Sequence, residues 1–438
     1  MKIIKTASSL KGEAVILGDK SIAHRAVILG ALASGKTVIK NFPPNDDCLA
    51  TINVLKKLGV KIISRAKEVI VFGVGLRGFK KPAKPIFVNN SGTTLRIILG
   101  VLAGQNFKVC LIAAQGLTRR PMARVTEPLR KMGAVISSRY ALYRGQAEEF
   151  PPITIHGGKP KAICYKIPMA SAQVKSAILL AGLYASGRTM VIEKFLTRDH
   201  TERMLRAFGA KVKSNGKKIT IAGSSGLVSP GRLYVPGDIS SAAFFLVLGA
   251  IHPNAKIVLK NISLNPTRGG IPKALKRMGA NLQIINKKFQ RVDSEPVGDI
   301  IIQSSRLKSL IVKKEEVPVL IDELPVLMVA ACFARGTSVF EGVEELRVKE
   351  TDRINSMLAN LRKMGADIRV VKAGASENII IHGSGALFGA KVKSFGDHRT
   401  AMSMVVAGLA ARGRTEIDDI NCINKSFPGF MAVIKKLS

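Results

Sequence analysis

The sequence predicts an α/β protein built from six copies of one helix–strand–helix–strand unit, three to a domain. Two recurring phrases and the chain length carry that expectation. A helix-ending phrase appears as LKKLGVKI (55–62), LRKMGAVI (129–136), LRAFGAKV (205–212), LKRMGANL (275–282) and LRKMGADI (361–368). Its glycines, at 59, 133, 209, 279 and 365, are 74, 76, 70 and 86 residues apart, and a sixth copy, VIKKLS, ends at 438, 73 residues after 365. One sixth of 438 is also 73. Basic residues suit the negative end of a helix, and a glycine can then take the left-handed cap before the next strand begins. An apolar helix followed by a tight turn and a strand recurs as ILGALASGKTVI (28–39), ILGVLAGQNFKVCLI (98–112), LLAGLYASGRTMVI (179–192), LVLGAIHPNAKIVL (246–259), MVAACFARGTSVF (328–340) and VVAGLAARGRTEI (405–417).

The first helix of each unit is apolar nearly all round and so is expected in the core. The second, as in ETDRINSMLANLRKMG (350–365), is amphipathic. At about 150 residues per domain the length suits two or three domains. The Gly- and Pro-rich GLVSPGRLYVPG (226–237) marks the junction. The last copy stops at its helix, and residues 1–17 can supply the strand it lacks. The expected domains are therefore 1–17 with 236–438, and 18–235. A second crossover then falls near Leu17–Gly18, and paired crossovers make a hinge.

Composition narrows the class. The chain is 47% hydrophobic and 22% charged, as a folded globular protein should be. Its longest apolar runs are about half of the roughly 20 residues that a membrane helix needs. The opening MKIIKTASSLKGEAV lacks the apolar core of a secretory signal. Five widely separated cysteines (48, 110, 164, 332 and 422) without C-x-x-C argue against a disulfide scaffold or zinc module. His24, His200 and His398 lack ligand spacing, so no metal is expected. A soluble, cytoplasmic protein follows. The net charge of +38 raises nucleic acid as a partner. Yet no three basic residues are consecutive and tryptophan is absent, so a basic arm and stacking platforms are both wanting. A basic surface without a dedicated partner, or a field that draws small polyanions, are the other readings.

Polar residues cluster at the mouths of the apolar helices: GDKSIAHR (18–25), NNSGTTLR (89–96), PMASAQVKS (168–176), VPGDISS (235–241), LIDELP (320–325) and FGDHR (395–399). Helix N-termini carry unpaired N–H groups and partial positive charge, which makes each a seat for an anion. Ser21, Thr93, Ser171 and Ser240 are equally plain N-caps or first-turn polar residues. The turns LTRRPM (117–122), LTRDHTE (196–202), LRVKETDR (346–353) and NKSFPGF (424–430) add cations. The spacing in VKETDR sets Lys349 and Arg353 one helical turn apart, with Glu350 alongside.

In this order, GDKSIAHR, NSGTTLR, TRRPM, PMASAQVKSAILLAGL, TRDHTE, NPTR (265–268), LRVKETDRI, GDHRTAM and KSFPGF resemble the motifs of the EPSP synthase family, the 3-phosphoshikimate 1-carboxyvinyltransferases. The likeness runs from about residue 12 to 431. It implies a two-domain inside-out α/β barrel fold, with three βαβαββ repeats per domain closing over the substrates. It implies a monomeric enzyme of the shikimate pathway that needs no cofactor. Carried over motif by motif, contacts to 3-phosphoshikimate fall to Lys20, Ser21, Arg25, Ser171, Ala172, Gln173, Arg198, Asp322 and Lys349. Those to phosphoenolpyruvate fall to Lys20, Gly92, Arg120, Gln173, Arg353, Arg399 and Lys425. The resemblance assigns the proton transfers to Asp322, Glu350 and Lys20. Leu17 stands where the family usually has Pro, and Ser91 where many members have Ala.

Two rivals remain. The sister carboxyvinyltransferase acting on UDP-N-acetylglucosamine resembles this fold, but it carries a reactive Cys before its R-P dipeptide, and AAQGLTRRP (113–121) has none. A nucleic-acid-binding protein on the same repeats would show steeply salt-dependent RNA binding and no phosphate release.

Overall fold

A computed structural model describes residues 1–65, 67–143, 145–289, 295–374 and 376–438. The chain divides into two compact units. One, the inserted unit, is Gly18–Val235; the other, the terminal unit, combines Met1–Leu17 with most of the chain beyond Pro236.

Three apolar helices form the centre of the inserted unit: Lys20–Leu32, Gly92–Leu102 and Ala172–Gly182. Ile28, Leu29, Ile98, Leu99, Ile178 and Leu179 are all buried, as residues on every side of such helices must be. Three four-stranded sheets cover them. In one, Ile86–Phe87 lies beside Lys108–Ile112, then Gln146–His156, then Val135–Tyr143. The strand before a central helix runs parallel to the strand after it, and the next two strands form an antiparallel pair. Cys164–Ile167 and Arg188–Glu193 repeat that parallel pairing, as do Arg232–Tyr234 and Lys36–Lys40.

The terminal unit buries Ile239–Ile251, Leu324–Phe333 and His398–Ala410 in the same manner. Its sheets draw on both ends of the chain. Leu10–Val15 pairs in parallel with Ala255–Ser263, and Lys2–Lys5 runs antiparallel to Arg414–Ile417. The latter strand takes the place that the last helix, Phe430–Leu437, leaves unfilled. Among the described residues no sheet closes on itself; the strands form separate sheets of two to four.

The amphipathic helices end as their glycines require. Gly59, Gly133, Gly209, Gly279 and Gly365 all have φ between +84° and +100°, a region that residues with a Cβ avoid. One helix start differs from expectation. The segment 350–365 is helical only over Arg353–Lys363, because Asp352 caps it by accepting from Asn355 N at 3.0 Å. Residues 349–352 are not helical, and so Lys349 and Arg353 are not neighbours on one helix face.

The central helices approach so closely that backbone meets backbone. A Cβ added at Gly100 would lie 2.2 Å from the carbonyl oxygen of Ala177 on the neighbouring helix. No rotamer change relieves such a clash. Gly100→Ala should lower stability by about 1–3 kcal/mol, seen calorimetrically as a lower melting temperature. Gly158→Ala, where an added Cβ meets nothing within 4 Å, is the control and should leave melting unchanged. Equal melting of the two variants would show that the helices can part at no cost.

Candidate active site

Five of the six central helices have a side chain accepting from their first turn. The caps are Asp19, Ser91, Ser171, Asp238 and Asp397. Of the four residues read as alternative caps, Ser171 alone is one. Ser21, Thr93 and Ser240 are first-turn residues, each the second residue of its helix, and their side chains meet other groups.

In the inserted unit Arg25 is the centre of one cluster. Its guanidinium, buried, donates to Thr201 Oγ1 at 2.6 Å, Ser176 Oγ at 2.8 Å and the Ser21 carbonyl at 2.8 Å. Each of these oxygens is neutral. Arg198 donates to Ser21 Oγ at 3.2 Å, which brings a second guanidinium to the same turn. Burial, and then Arg198, lower the Arg25 pKa to about 10, so it stays charged near neutrality. Two close guanidiniums with hydroxyls among their partners have the charge and geometry to suit a dianion. Ser176 also donates to the Ala172 carbonyl at 2.6 Å, tying this cluster to the Ala172–Gly182 helix.

Lys20 opens the helix that carries Arg25, with Nζ 2.8 Å from Asp47 Oδ2. Gln173 links two helix mouths: Oε1 accepts from Arg96 at 2.8 Å, and Nε2 donates to Thr93 Oγ1 at 3.0 Å. Arg96 is anchored in turn by the Pro121 carbonyl at 3.0 Å. Arg120 follows, and a Cβ added at Gly92 would lie 3.0 Å from its Nη1. Glycine at the first helical position therefore leaves room for this guanidinium beside the helix N-terminus. Beneath the cluster, Lys175 bonds Glu202 at 2.7 Å and Glu193 at 3.1 Å. Burial works against its charge, but the two carboxylates outweigh it and raise its pKa.

The terminal unit holds its cations differently. Arg353, 1% exposed, meets three carboxylates: Asp397 at 2.9 Å, Asp322 at 3.6 Å, and Glu350, to which Nη2 donates. Asp322 Oδ1 is also 3.5 Å from Arg399 Nε, and its carbonyl accepts from Arg399 Nη1 at 2.8 Å. Asp397 is buried, whereas Asp322 and Glu350 keep 20% and 31% of their side chains accessible. Lys349 lies 3.2 Å from Glu345; burial lowers its pKa against the pull of Glu345 and Asp322. Lys425 donates to the Gly396 carbonyl at 3.2 Å. Its loop is fixed by Phe427 and Phe430, whose rings pack against Phe245 at 6.0 and 5.3 Å.

The predicted residues thus form local groups: Ser21, Arg25 and Arg198; Gly92 with Arg120; and Asp322, Glu350, Arg353 and Arg399. The mouth of Ile239–Ile251 is filled by side chains from other segments of the unit, since Ser240 accepts from Arg268 and donates to Glu323. Sequence reasoning missed Asp47, Arg96, Thr201 and Asp397. Asp47 reads as an ordinary acid in a helix first turn, and indeed Asn45 caps that helix. Arg96 and Asp397 stand inside quoted motifs, and their four-residue and two-residue offsets from Gly92 and Arg399 were the available signal.

A family model described as EPSP synthase (3-phosphoshikimate 1-carboxyvinyltransferase) matches residues 4–434. The chain belongs to the EPSP synthase family. Its similarity to individual members is high throughout. A 3-phosphoshikimate 1-carboxyvinyltransferase of Geobacillus thermodenitrificans is 47% identical, the alignment covering 100% of this chain and 99% of that protein. One from Shouchella clausii is 48% identical, over 99% and 98%. An EPSP synthase structure from Acinetobacter baumannii superposes with a TM-score of 0.86 at 42% identity, over 100% of this chain and 97% of that one. The family fold is mixed α/β in two domains.

The Arg353–Asp397 pair predicts an acid limb of stability. Burial would raise the Asp397 pKa, but Arg353 outweighs it and the carboxyl lies below its ordinary 3.8. Its contribution is full above that value and is lost as pH falls through the lower folded one. Asp397→Asn should therefore flatten the fall of the urea midpoint below about pH 3.8, besides lowering it overall. An unchanged slope would assign the acid limb to other carboxylates.

Proposed function

We propose that the two sets of helix mouths divide the work of the family reaction, with dianion binding on the inserted unit and most acid–base chemistry on the terminal unit. The reaction transfers the enolpyruvyl group of phosphoenolpyruvate to 3-phosphoshikimate, a step of aromatic amino acid biosynthesis. Each unit is read as three βαβαββ repeats, on the domain division 1–17 with 236–438 and 18–235. The enzyme is read as a cytoplasmic monomer; its described cysteines are free, as suits a reducing compartment, and among the described residues no helix is long and apolar enough to cross a membrane.

Both substrates are polyanions, and their mutual repulsion in a water-poor site must be offset by fixed cations and helix N-termini. Ser21, Arg25, Arg198, Ser171 and the Ala172 turn take 3-phosphoshikimate, with Lys349 and Asp322 as further contacts. Gly92, Arg120, Gln173, Arg353, Arg399 and Lys425 take phosphoenolpyruvate, and Lys20 serves both. A proton delivered to C3 makes C2 electrophilic, and the 5-hydroxyl of the sugar adds there as its own proton leaves. The tetrahedral adduct then expels phosphate and loses a methyl proton to give the enol ether. Asp322 takes the hydroxyl proton; Glu350 and Lys20 handle the protons at C3 and on the phosphate oxygen.

The observation that carries this reading is the buried Arg353 holding two accessible carboxylates, Asp322 and Glu350, at fixed places beside Arg399. Their partial exposure, at 20% and 31% of the side chain, leaves them able to exchange protons with a ligand. Asp322→Asn and Glu350→Gln should each lower kcat by about 10²–10⁴-fold with modest change in KM. Phosphate release measured with both substrates, and with each omitted, is the assay; near-normal turnover in both variants rejects the assignment. Arg120→Ala should chiefly raise KM for phosphoenolpyruvate, and an unchanged KM removes Arg120 from that role.

A further inference from the structure

Behind the mouth of the Gly92–Leu102 helix runs a chain of four buried polar side chains drawn from three helices and the cap. His24 Nδ1 lies 2.6 Å from Thr51 Oγ1, which lies 2.7 Å from Thr94 Oγ1, which donates to Ser91 Oγ at 2.7 Å. All four residues are fully enclosed. Ser91 in turn accepts from Thr94 N at 3.3 Å and so caps the helix that begins at Gly92. No member of this chain has a part in the reaction as set out above.

Counting protons fixes its direction. A hydroxyl has one hydrogen to give. Thr94 gives its hydrogen to Ser91, the Asp47 carbonyl being a distant alternative at 3.4 Å. Thr51 must then give its own to Thr94, and His24 must give Nδ1–H to Thr51. The imidazole is left with a bare Nε2 lone pair, and Nε2 is the ring atom that finds no partner among the described residues. Burial lowers the His24 pKa to about 3, so the ring is neutral and one tautomer holds at any working pH. Bonds aligned head to tail in a dry interior polarise one another, and the run ends on the cap of the phosphoenolpyruvate loop.

We propose that His24, Thr51 and Thr94 are positioning residues for phosphoenolpyruvate, acting through Ser91 to hold the Asn90–Gly92 turn against Arg120. The proposal rests on the placement of phosphoenolpyruvate at Gly92 and Arg120. The backbone bonds at the turn are Gly92 N to Asn90 O at 3.1 Å, Ser91 N to Val88 O at 3.2 Å and Leu95 N to Ser91 O at 3.1 Å, and none of them fixes the direction of the cap oxygen. A cap oxygen free to rotate would let the first helical turn fray, and Gly92 has no side chain to restrain it.

The test is steady-state phosphate release by the full chain, each substrate varied in turn. Thr51→Val keeps the shape and removes the link. It should raise KM for phosphoenolpyruvate about three- to tenfold, the range set by one lost capping interaction, while kcat and KM for 3-phosphoshikimate stay within about twofold. Thr51→Ser should restore the value. Thr51→Val combined with Ser91→Ala should be no worse than Ser91→Ala alone, because the first acts through the second. An unaltered KM for phosphoenolpyruvate, an equal rise in both KM values, or additive effects would overturn the proposal. Arg120→Ala in parallel separates the two readings: if it too leaves KM unchanged, the placement of phosphoenolpyruvate has failed; if it raises KM while Thr51→Val does not, the positioning chain alone has failed. Nitrogen NMR of histidine-labelled, unmutated protein gives a readout independent of variant folding. His24 should carry its proton on Nδ1, and a proton on Nε2 would overturn the chain's direction.

Discussion

A helix that is apolar on every side must be enclosed, and enclosing it leaves the N–H groups of its first turn without water. Six helices of this chain meet that constraint, and the side chains at their mouths are the response to it. Aspartate or serine supplies an oxygen at five of them. Once the cap is in place, the partial positive charge of the helix end remains, and the residues of the first turn are held in fixed directions by a rigid element. Binding groups placed there lose little freedom when a ligand arrives. The same requirement that stabilises the core therefore arranges the chemistry.

The two units compensate buried cations in contrasting ways. Arg25 donates to neutral oxygens and has a second guanidinium nearby, and the carboxylates that act on it, Glu202, Asp19 and Glu295, are not its bonding partners. Arg353 is surrounded by three carboxylates, so its neighbourhood is closer to neutral and the acids, not the cation, are the accessible groups. The first arrangement favours recruiting an anion; the second favours moving protons. Where neither is needed, as around Ser240, Arg268 and Glu323, the network closes on itself.

Much of this was legible in the amino-acid order because it is local. Gly59, Gly133, Gly209, Gly279 and Gly365 announce helix ends through their own backbone freedom, and the all-apolar helices announce their burial. The motif residues that line each mouth are contiguous, so their grouping within a turn follows from spacing. What could not be read depends on contacts between distant segments. Lys20 meets Asp47, 27 positions away, and Arg353 meets Asp397, 44 away. The helix start at Arg353 was misjudged because Glu350 and Thr351 have ordinary helix character. Arg347, bonded to Asp352 at 2.6 Å and forked onto Glu377, helps fix Asp352 as the cap.

The pairing of Lys2–Lys5 with Arg414–Ile417, and of Leu10–Val15 with Ala255–Ser263, bears on how the protein is made. On a ribosome these strands emerge well before their partners, which lie hundreds of residues later in the chain. Gly18–Val235 by contrast carries its own sheet partners and can condense while the rest is still being synthesised. The opening segment therefore waits beside an already folded neighbour, and its two lysine-bearing strands must stay soluble in the meantime. Their short length and charged residues, in KIIK and LKGEAV, are suited to that wait.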